Sequence, residues 1–522
     1  MPPVSRKILW ADDEIDLLRP HILLLESKGY QVTSVSNGND AVACAAREKF
    51  DVILLDETMP GLSGLATLEA IKEHDPSVPV VLVTKNEAEA LMDDAIGRRI
   101  DDYLLKPVRP TQIFLALKRL LEADRLQESQ RTRDYVAELA RMRAEASGAL
   151  DWRQWIDLYD RSARWDVELD EAGDRGLRQV HADQRRTMNV EFGQYVEESY
   201  GTWVAGPDPP PLSTEVVRRW VAPHLTAGRK VTLIVVDCMR LDQWLTIEPL
   251  LRPLFDVSVD HHISILPTAT PYSRNAIFSG LLPDAIWRTH PDYWQEGAGD
   301  ERSKNRHERQ LLEAQMARLK IALGSPLKYV KIYSPEEAAA VRRNVVTYQG
   351  IQLVAMVFNF LDMLTHGRSE SSLLRELAPD ESAFRSVMRS WFAHSALFDA
   401  LKWLARQEGV VIITTDHGAV LSRHSALVYG NRETSTNLRF KFGTNLQCDP
   451  KQAVLVKDPA RFRLPADQVQ KQYLIAKEDF YFVYPTNFHE YENKYRGSFQ
   501  HGGISLEEMI LPVATLTPRA AP

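Results

Sequence analysis

Five short strand-like runs, KILWA, YQVTSV, VILLD, VPVVLVT and DDYLL, alternate with amphipathic segments across the first 121 residues. Ile15, Leu18, Ile22 and Leu25 keep helical spacing in the first connection, and a β-α alternation of this kind predicts a five-stranded, doubly wound parallel sheet. Polar groups in such a sheet collect beyond the carboxyl ends of the strands. Asp12 and Asp13 follow the first run, Asp56 the third, Thr84 the fourth and Lys106 the fifth. Three clustered carboxylates repel one another unless a divalent cation sits among them, and an all-oxygen set suits Mg²⁺. A carboxylate on such an ion can accept a phosphoryl group, with a hydroxyl and an ammonium steadying its oxygens.

The same logic recurs in the second half. Lys230 to Val236 runs into Asp237, Gln352 to Phe358 leads to Asp362 and His366, and Val410 to Thr415 ends on Asp416 and His417. With Thr270 and His501 these make the seven residues that a two-metal phosphohydrolase needs. Asp362 and His366 are one helical turn apart and can face one ion. Asp416 and His417 are adjacent, which predicts opposite directions and a bridge between two metal sites. Mixed His and Asp ligands favour Zn²⁺ over Mg²⁺, with Mn²⁺ the other fitting ion. Thr268 and Thr270 precede a predicted helix whose amino end favours phosphate. A threonine hydroxyl becomes a nucleophile only when a metal lowers its pKa, and Thr270 is the expected one. Arg274, four residues on, is expected either on substrate phosphate or on the helix surface. His261, His262, His290, His307 and His394 carry no paired-ligand signal, and Cys238 reads as a small buried residue at a strand end.

A chain of 522 residues exceeds one core. The expected divisions are 1–121, a helical-bundle domain over 122–205, and a large α/β domain over 206–522. Leu121 to Ala149 is rich in Glu, Arg, Ala and Leu and predicts a long helix; Trp152, Trp155, Ile156, Leu158, Tyr159 and Trp165 supply a bundle core. Residues 284–345 read as an insertion that can cap the second site. A net charge of −8 gives no general pull toward nucleic acid or an anionic membrane. Three widely spaced cysteines make no disulfide framework, and the absence of a long apolar run leads to a cytoplasmic expectation.

The motifs ADDE, LLDETMPGLSG, VT and DYLLKP resemble the receiver domain of bacterial response regulators. That resemblance implies phosphorylation of Asp56 by a histidine kinase, with Asp13, Asp56 and the Thr58 carbonyl on Mg²⁺ and Asp12 acting through its water shell. It makes Thr84 and Lys106 phosphate ligands, Tyr103 the aromatic switch, and Lys106-Pro107 a cis peptide. Lys85 departs from the small residue usual at its position. VVDCMRLDQW, PTATPYSRNAIFSG, LDMLTH, TTDHG and FQHGGISLEEMILP resemble the PglZ branch of the alkaline phosphatase superfamily. This second resemblance implies one zinc site of Asp362, His366 and His501 and another of Asp237, Asp416, His417 and the nucleophile Thr270.

The order of the three parts resembles PorX-type response regulators, which implies type IX secretion, a PorY-like sensor kinase, and a phosphodiester substrate such as a cyclic or short oligonucleotide. A homodimer formed on phosphorylation is expected from the long helix, and no DNA-binding module is visible. Two rival readings are a phosphorylation-switched adaptor for a sigma factor or secretion component, with the zinc domain as scaffold, and a phosphomonoesterase.

Overall fold

The computed structural model describes residues 6–85, 100–294, 305–431, 435, 437–466 and 469–519. The chain divides into two compact units, Met1–Ala137 and Glu138–Pro522. In the first, β1 (Lys7–Ala11), β2 (Gln31–Val35), β3 (Val52–Asp56), β4 (Val80–Thr84) and β5 (Asp102–Leu105) form one sheet in the order β2-β1-β3-β4-β5. Every pairing is parallel. Alternate residues of the strands feed two cores, Leu9, Ile53, Leu55 and Leu82 on one face and Ile8, Trp10, Leu54 and Val81 on the other. This two-sided burial is why VILLD is almost continuously apolar. Asn37 and Ser63 cap the helices Gly38–Arg47 and Gly64–His74 through their side chains. Gly64 is forced by a close approach, since a Cβ there would lie 2.3 Å from the Asp56 carbonyl oxygen.

The expected long helix is present as Pro110–Ala146, 37 residues that carry the chain out of the first sheet. Two further helices follow, Trp152–Ala172 and Arg175–Ala205, separated by Gly173 in a left-handed conformation at φ 71°. These helices pack within the same compact unit as the large α/β region. Trp155, Leu158, Tyr159, Phe192 and Tyr200 share one hydrophobic core with Val217, Leu233 and Trp244 of the large sheet region. Each such buried side chain contributes roughly 1.5–3 kcal/mol, so the helical segment is bonded to the α/β region by packing. Tyr200 adds a polar tie, its hydroxyl accepting from Leu266 N at 2.8 Å.

The large sheet contains β6 (Val231–Val236), β7 (Phe255–Ile263), β8 (Lys328–Ile332), β9 (Leu353–Phe358), β10 (Val410–Thr414) and the strand Ile510–Pro518. Their order is β7, Ile510–Pro518, β10, β6, β9, β8. β8, β9, β6 and β10 run parallel, and the other two join antiparallel. The carboxyl ends of β6, β9 and β10 therefore open on one rim, as the sequence predicts for Asp237, Asp362 and Asp416. No helix among the described residues is long and apolar enough to cross a membrane.

Candidate functional site

At the rim of the five-stranded sheet, Asp12, Asp13 and Asp56 bring one oxygen each within 4.8 Å of one another. Lys106 Nζ lies 2.9 Å from both Asp12 Oδ2 and Asp56 Oδ1. Burial raises the Asp56 carboxyl above its usual range; Lys106 opposes this and Asp12 adds to it. Lys106 is itself held protonated by Asp12 and Asp56 against the cost of burial. One ammonium is thus too little for three carboxylates, which is the electrostatic condition for a divalent cation. Thr84 is buried and donates to Glu57. Thr58 lies exposed in the loop after β3, and Tyr103 is 40% exposed. The Lys106-Pro107 peptide is cis, and Lys85 reaches Glu14 at 3.5 Å.

In the large unit the seven residues converge into two adjoining clusters. Asp362, His366 and His501 form one, Asp237, Asp416 and His417 the other, each with ligand atoms within 4.8 Å. Asp362 Oδ1 lies 3.2 Å from His366 Nε2 and 3.5 Å from His501 Nε2. Both come from the Phe360–Glu370 helix that follows β9, where the i, i+4 spacing puts them on one face. His501 arrives from the end of the short strand Ser498–Gln500. The His417 and His501 rings stack with centroids 4.2 Å apart, so the two clusters share a wall.

The expected bridge by Asp416 and His417 is corrected here, because both belong to the same cluster. The alternation that sends neighbours to opposite sides holds only within a strand, and β10 ends at Thr414. Beyond it Asp416 Oδ1 accepts from His417 N at 3.1 Å and from Cys238 N at 3.4 Å, which turns the carboxylate back over its own chain. Cys238 is fully buried and sits at φ 67°, a left-handed conformation that costs a non-glycine residue about 1–3 kcal/mol and marks a fixed turn after Asp237.

Thr270 opens the helix Thr270–Ser279. Its Oγ1 lies 3.0 Å from His417 Nε2 and 3.5 Å from Asp237 Oδ1. Thr268 is turned away, donating to Gly503 O at 2.7 Å. Arg274 is not on the helix surface. Its guanidinium is buried against Asp237, Glu308 and Asn359. Helical spacing brings it under Thr270, on the inner face of a helix buried all round. Asn305 and Glu308 extend the insertion to the same place, with Asn305 Nδ2 donating to Thr270 O at 3.2 Å. The charged stretch just before them, residues 295–304, lies outside the described residues.

Burial and the neighbouring Asp237 push the Asp416 carboxyl up to about 6, while burial pulls His417 down to about 4. Burial also acts against ionised Asp362, but His366 and His501 outweigh it and hold its carboxyl well below the usual range. Asp416 Oδ2 is buried and accepts no hydrogen bond among the described residues, and Asp362 Oδ1 faces the imidazoles of His366 and His501. A buried carboxylate oxygen without a donor, and a second carboxylate met by imidazoles that can present lone pairs, fit cations better than a hydrogen-bonded core.

The histidines without a ligand signal are structural. His262 is buried at Thr415 O, 3.0 Å away; His261 reaches Asp160 at 3.4 Å; His290 and His307 stack on Tyr293; His394 bonds Ser390 O. Sequence reasoning missed Asn305, Glu308, Asn359, Arg185, Asn189 and Glu507, all of which are drawn to the site or its supports. Asn359 and Glu507 had a signal, a polar residue inside an apolar stretch beside a ligand motif. Asn305 and Glu308 fall in the insertion expected to cap the site without being singled out within it, and Arg185 and Asn189 had no signal.

Residues 216–516 match the family described as the BREX system PglZ alkaline phosphatase-like domain, residues 8–118 the response regulator receiver domain, and residues 125–204 the PorX response regulator linker domain. The chain is 34% identical over 115 residues to the transcriptional regulatory protein ResD of Bacillus subtilis, covering 22% of this chain and 48% of that one. It is 38% identical over 119 residues to protein PilH of Pseudomonas aeruginosa, covering 22% and 97%. It spans about half the length of ResD and of TcrX from Mycobacterium tuberculosis. A CheY-like receiver domain protein from Methanospirillum hungatei matches with 25% identity and TM-score 0.22, over 23% of this chain and 96% of that one.

Proposed function

This chain belongs to the PglZ alkaline phosphatase-like family, and we propose that it is a PorX-type response regulator whose output is a two-zinc phosphodiesterase controlled by phosphorylation of Asp56. The observation that carries the reading is the placement of the Thr270 hydroxyl, 3.0 Å from His417 Nε2, at the head of a helix and beside two three-ligand clusters. Asp362, His366 and His501 would hold one ion, and Asp237, Asp416, His417 and Thr270 the other. Zinc, when bound, supplies Lewis acidity that lowers the pKa of a ligating hydroxyl and offsets negative charge on phosphate.

Thr270 Oγ1 forms a bond to phosphorus as the opposite P–O ester bond breaks. The threonine proton leaves to solvent, and the departing alkoxide takes one up. A water oxygen then attacks the phosphothreonine phosphorus, restoring the Thr270 hydroxyl and releasing a phosphomonoester. The positive amino end of the Thr270–Ser279 helix faces the anion throughout. Arg274 neutralises Asp237 and Glu308 from below, which fixes the first turn of that helix.

The receiver pocket supports a sensor histidine kinase as phosphodonor, and the three-part order supports a setting in type IX secretion. A cyclic or short oligonucleotide is the favoured substrate class. Replacing Thr270 with Val is expected to abolish hydrolysis of bis(p-nitrophenyl) phosphate while zinc content stays at two per chain. Undiminished hydrolysis would refute the nucleophile, and faster turnover of p-nitrophenyl phosphate by the unsubstituted protein would move the activity to monoesters.

A further inference from the structure

Gln184, Arg185 and Asn189 form a polar but buried stripe on the Arg175–Ala205 helix. Buried polar side chains are costly unless they are bonded, so their partners indicate what the stripe is for. Gln184 Oε1 accepts from Arg143 Nε at 2.7 Å, close to the end of the Pro110–Ala146 helix. Arg185 pairs with Asp166 and Glu381, and its Nε lies 2.8 Å from Glu507 Oε1. Asn189 bonds twice to the short helix Leu506–Met509, which closes the loop that begins at His501. Its Oδ1 accepts from Leu506 N at 2.8 Å, and its Nδ2 donates to Glu507 Oε2 at 2.9 Å.

That loop starts on a ligand and is tied to the residues around two more site groups. Immediately after His501, Gly502 N donates to Thr268 Oγ1 at 3.1 Å, and Thr268 lies two residues before Thr270. Gly503 N donates to Glu508 Oε1 at 2.8 Å. Gly418, next to His417, donates to Glu508 O at 3.2 Å. A Cβ on Gly418 would stand 2.0 Å from Glu507 O, so the two backbones pack without slack. Displacing Glu507 therefore moves the residue beside His417, and through Thr268 the segment that presents Thr270.

We propose that Asn189, backed by Arg185, is a positioning residue through which the helical segment sets the geometry of His501, His417 and Thr270. It touches no ligand and no substrate. The metal-affinity part of this proposal rests on the reading that the two clusters hold metal; the ordering of the His501–Glu508 loop does not.

Asn189→Asp keeps an acceptor for Leu506 N but sets a carboxylate against Glu507. The double variant Asn189→Asp/Glu507→Gln exchanges amide and carboxylate, which satisfies the pair again and leaves Arg185 an oxygen acceptor. Val196→Ala, a buried apolar truncation on the same helix, serves as a control for simple loss of stability. Hydrogen exchange of residues 501–508, zinc affinity by chelator competition and the thermal midpoint without metal are measured on the full chain. Asn189→Asp is expected to speed exchange in the loop and weaken zinc by about 10–100-fold, as for other groups that orient ligands. The double variant is expected to return both toward the starting values. Zinc loss no greater than in Val196→Ala, or failure of the exchanged pair to rescue, overturns the proposal. A parent protein that binds no zinc defeats the metal reading, while the exchange measurement still decides the positioning role.

Discussion

In the five-stranded unit the cation that faces the carboxylates is part of the chain, Lys106, whereas in the large unit the carboxylates meet imidazoles and a buried arginine. Asp13 of the first site is exposed; Asp237, Asp416 and His417 of the second are buried. A shallow site with its own ammonium can take up and release a divalent ion and a phosphoryl group readily. In the second, the Asp237, Asp416 and His417 cluster lies deep while His366 of the adjoining cluster is half exposed, so an ion bound between buried carboxylates and imidazoles there would be held more firmly than one at the shallow rim. On the function proposed above, the difference separates a site suited to reversible signalling from one suited to repeated chemistry.

The widest test of that contrast is Asp56→Asn. Incorporation of phosphate from a small phosphodonor is expected to vanish, followed by phosphate-affinity electrophoresis, while zinc content of the large unit is unchanged. Residual labelling at Asp12 or Asp13 would break the assignment of one acceptor.

A smaller effect concerns stability. Burial opposes ionised Glu381, but Arg185, Arg240 and Arg385 prevail and hold its carboxyl far below the usual range. A depressed carboxyl contributes stability that is present above its unfolded pKa of about 4.3 and lost as pH falls toward the folded value. Glu381→Gln is expected to cost about 3 kcal/mol near neutrality, since it leaves buried arginines short of a counter-charge. The gap from the parent protein should narrow below about pH 4, where the Glu381 carboxyl of the unfolded parent begins to protonate while the folded one stays ionised. A gap constant with pH in denaturant melts would assign the loss to packing instead.

The smallest effect is at Lys106. Lys106→Met removes the built-in cation beside three carboxylates, so Mg²⁺ should bind about threefold to tenfold tighter, read by titrating the fluorescence of the tryptophans. Weaker Mg²⁺ binding would show that the lysine organises the carboxylates and does not compete for them.

The first site was legible almost entirely, because each of its groups follows a strand in a regular parallel order and the rim is fixed once the strands are. The second was legible in membership but not in arrangement. Asp416 and His417 lie past the last residue of β10, where strand alternation gives no direction, and the sequence does not choose between phosphate and the helix surface for Arg274, because its partners Asp237 and Glu308 are far away in sequence. The helical segment was legible as helices, but the core it shares with the large sheet was not. Its Trp155 and Tyr200 look the same whether they pack on each other or on a neighbouring sheet. Asn189 was invisible for a related reason, since an asparagine on a helix carries no mark of a loop more than 300 residues later.

The strand Ile510–Pro518 lies inside the large sheet, between β7 and β10, although it is the last strand in sequence. Its pairing with β7 joins Ile263 to Ile510, a loop closure of about 250 residues that nothing shorter can replace. During synthesis at roughly 5–20 residues per second, the receiver sheet is complete tens of seconds before that strand emerges. The rim of the receiver sheet is thus complete well before the sheet that gathers the second site. On the function proposed above, a newly made molecule would pass through an interval in which it could be addressed but could not yet act.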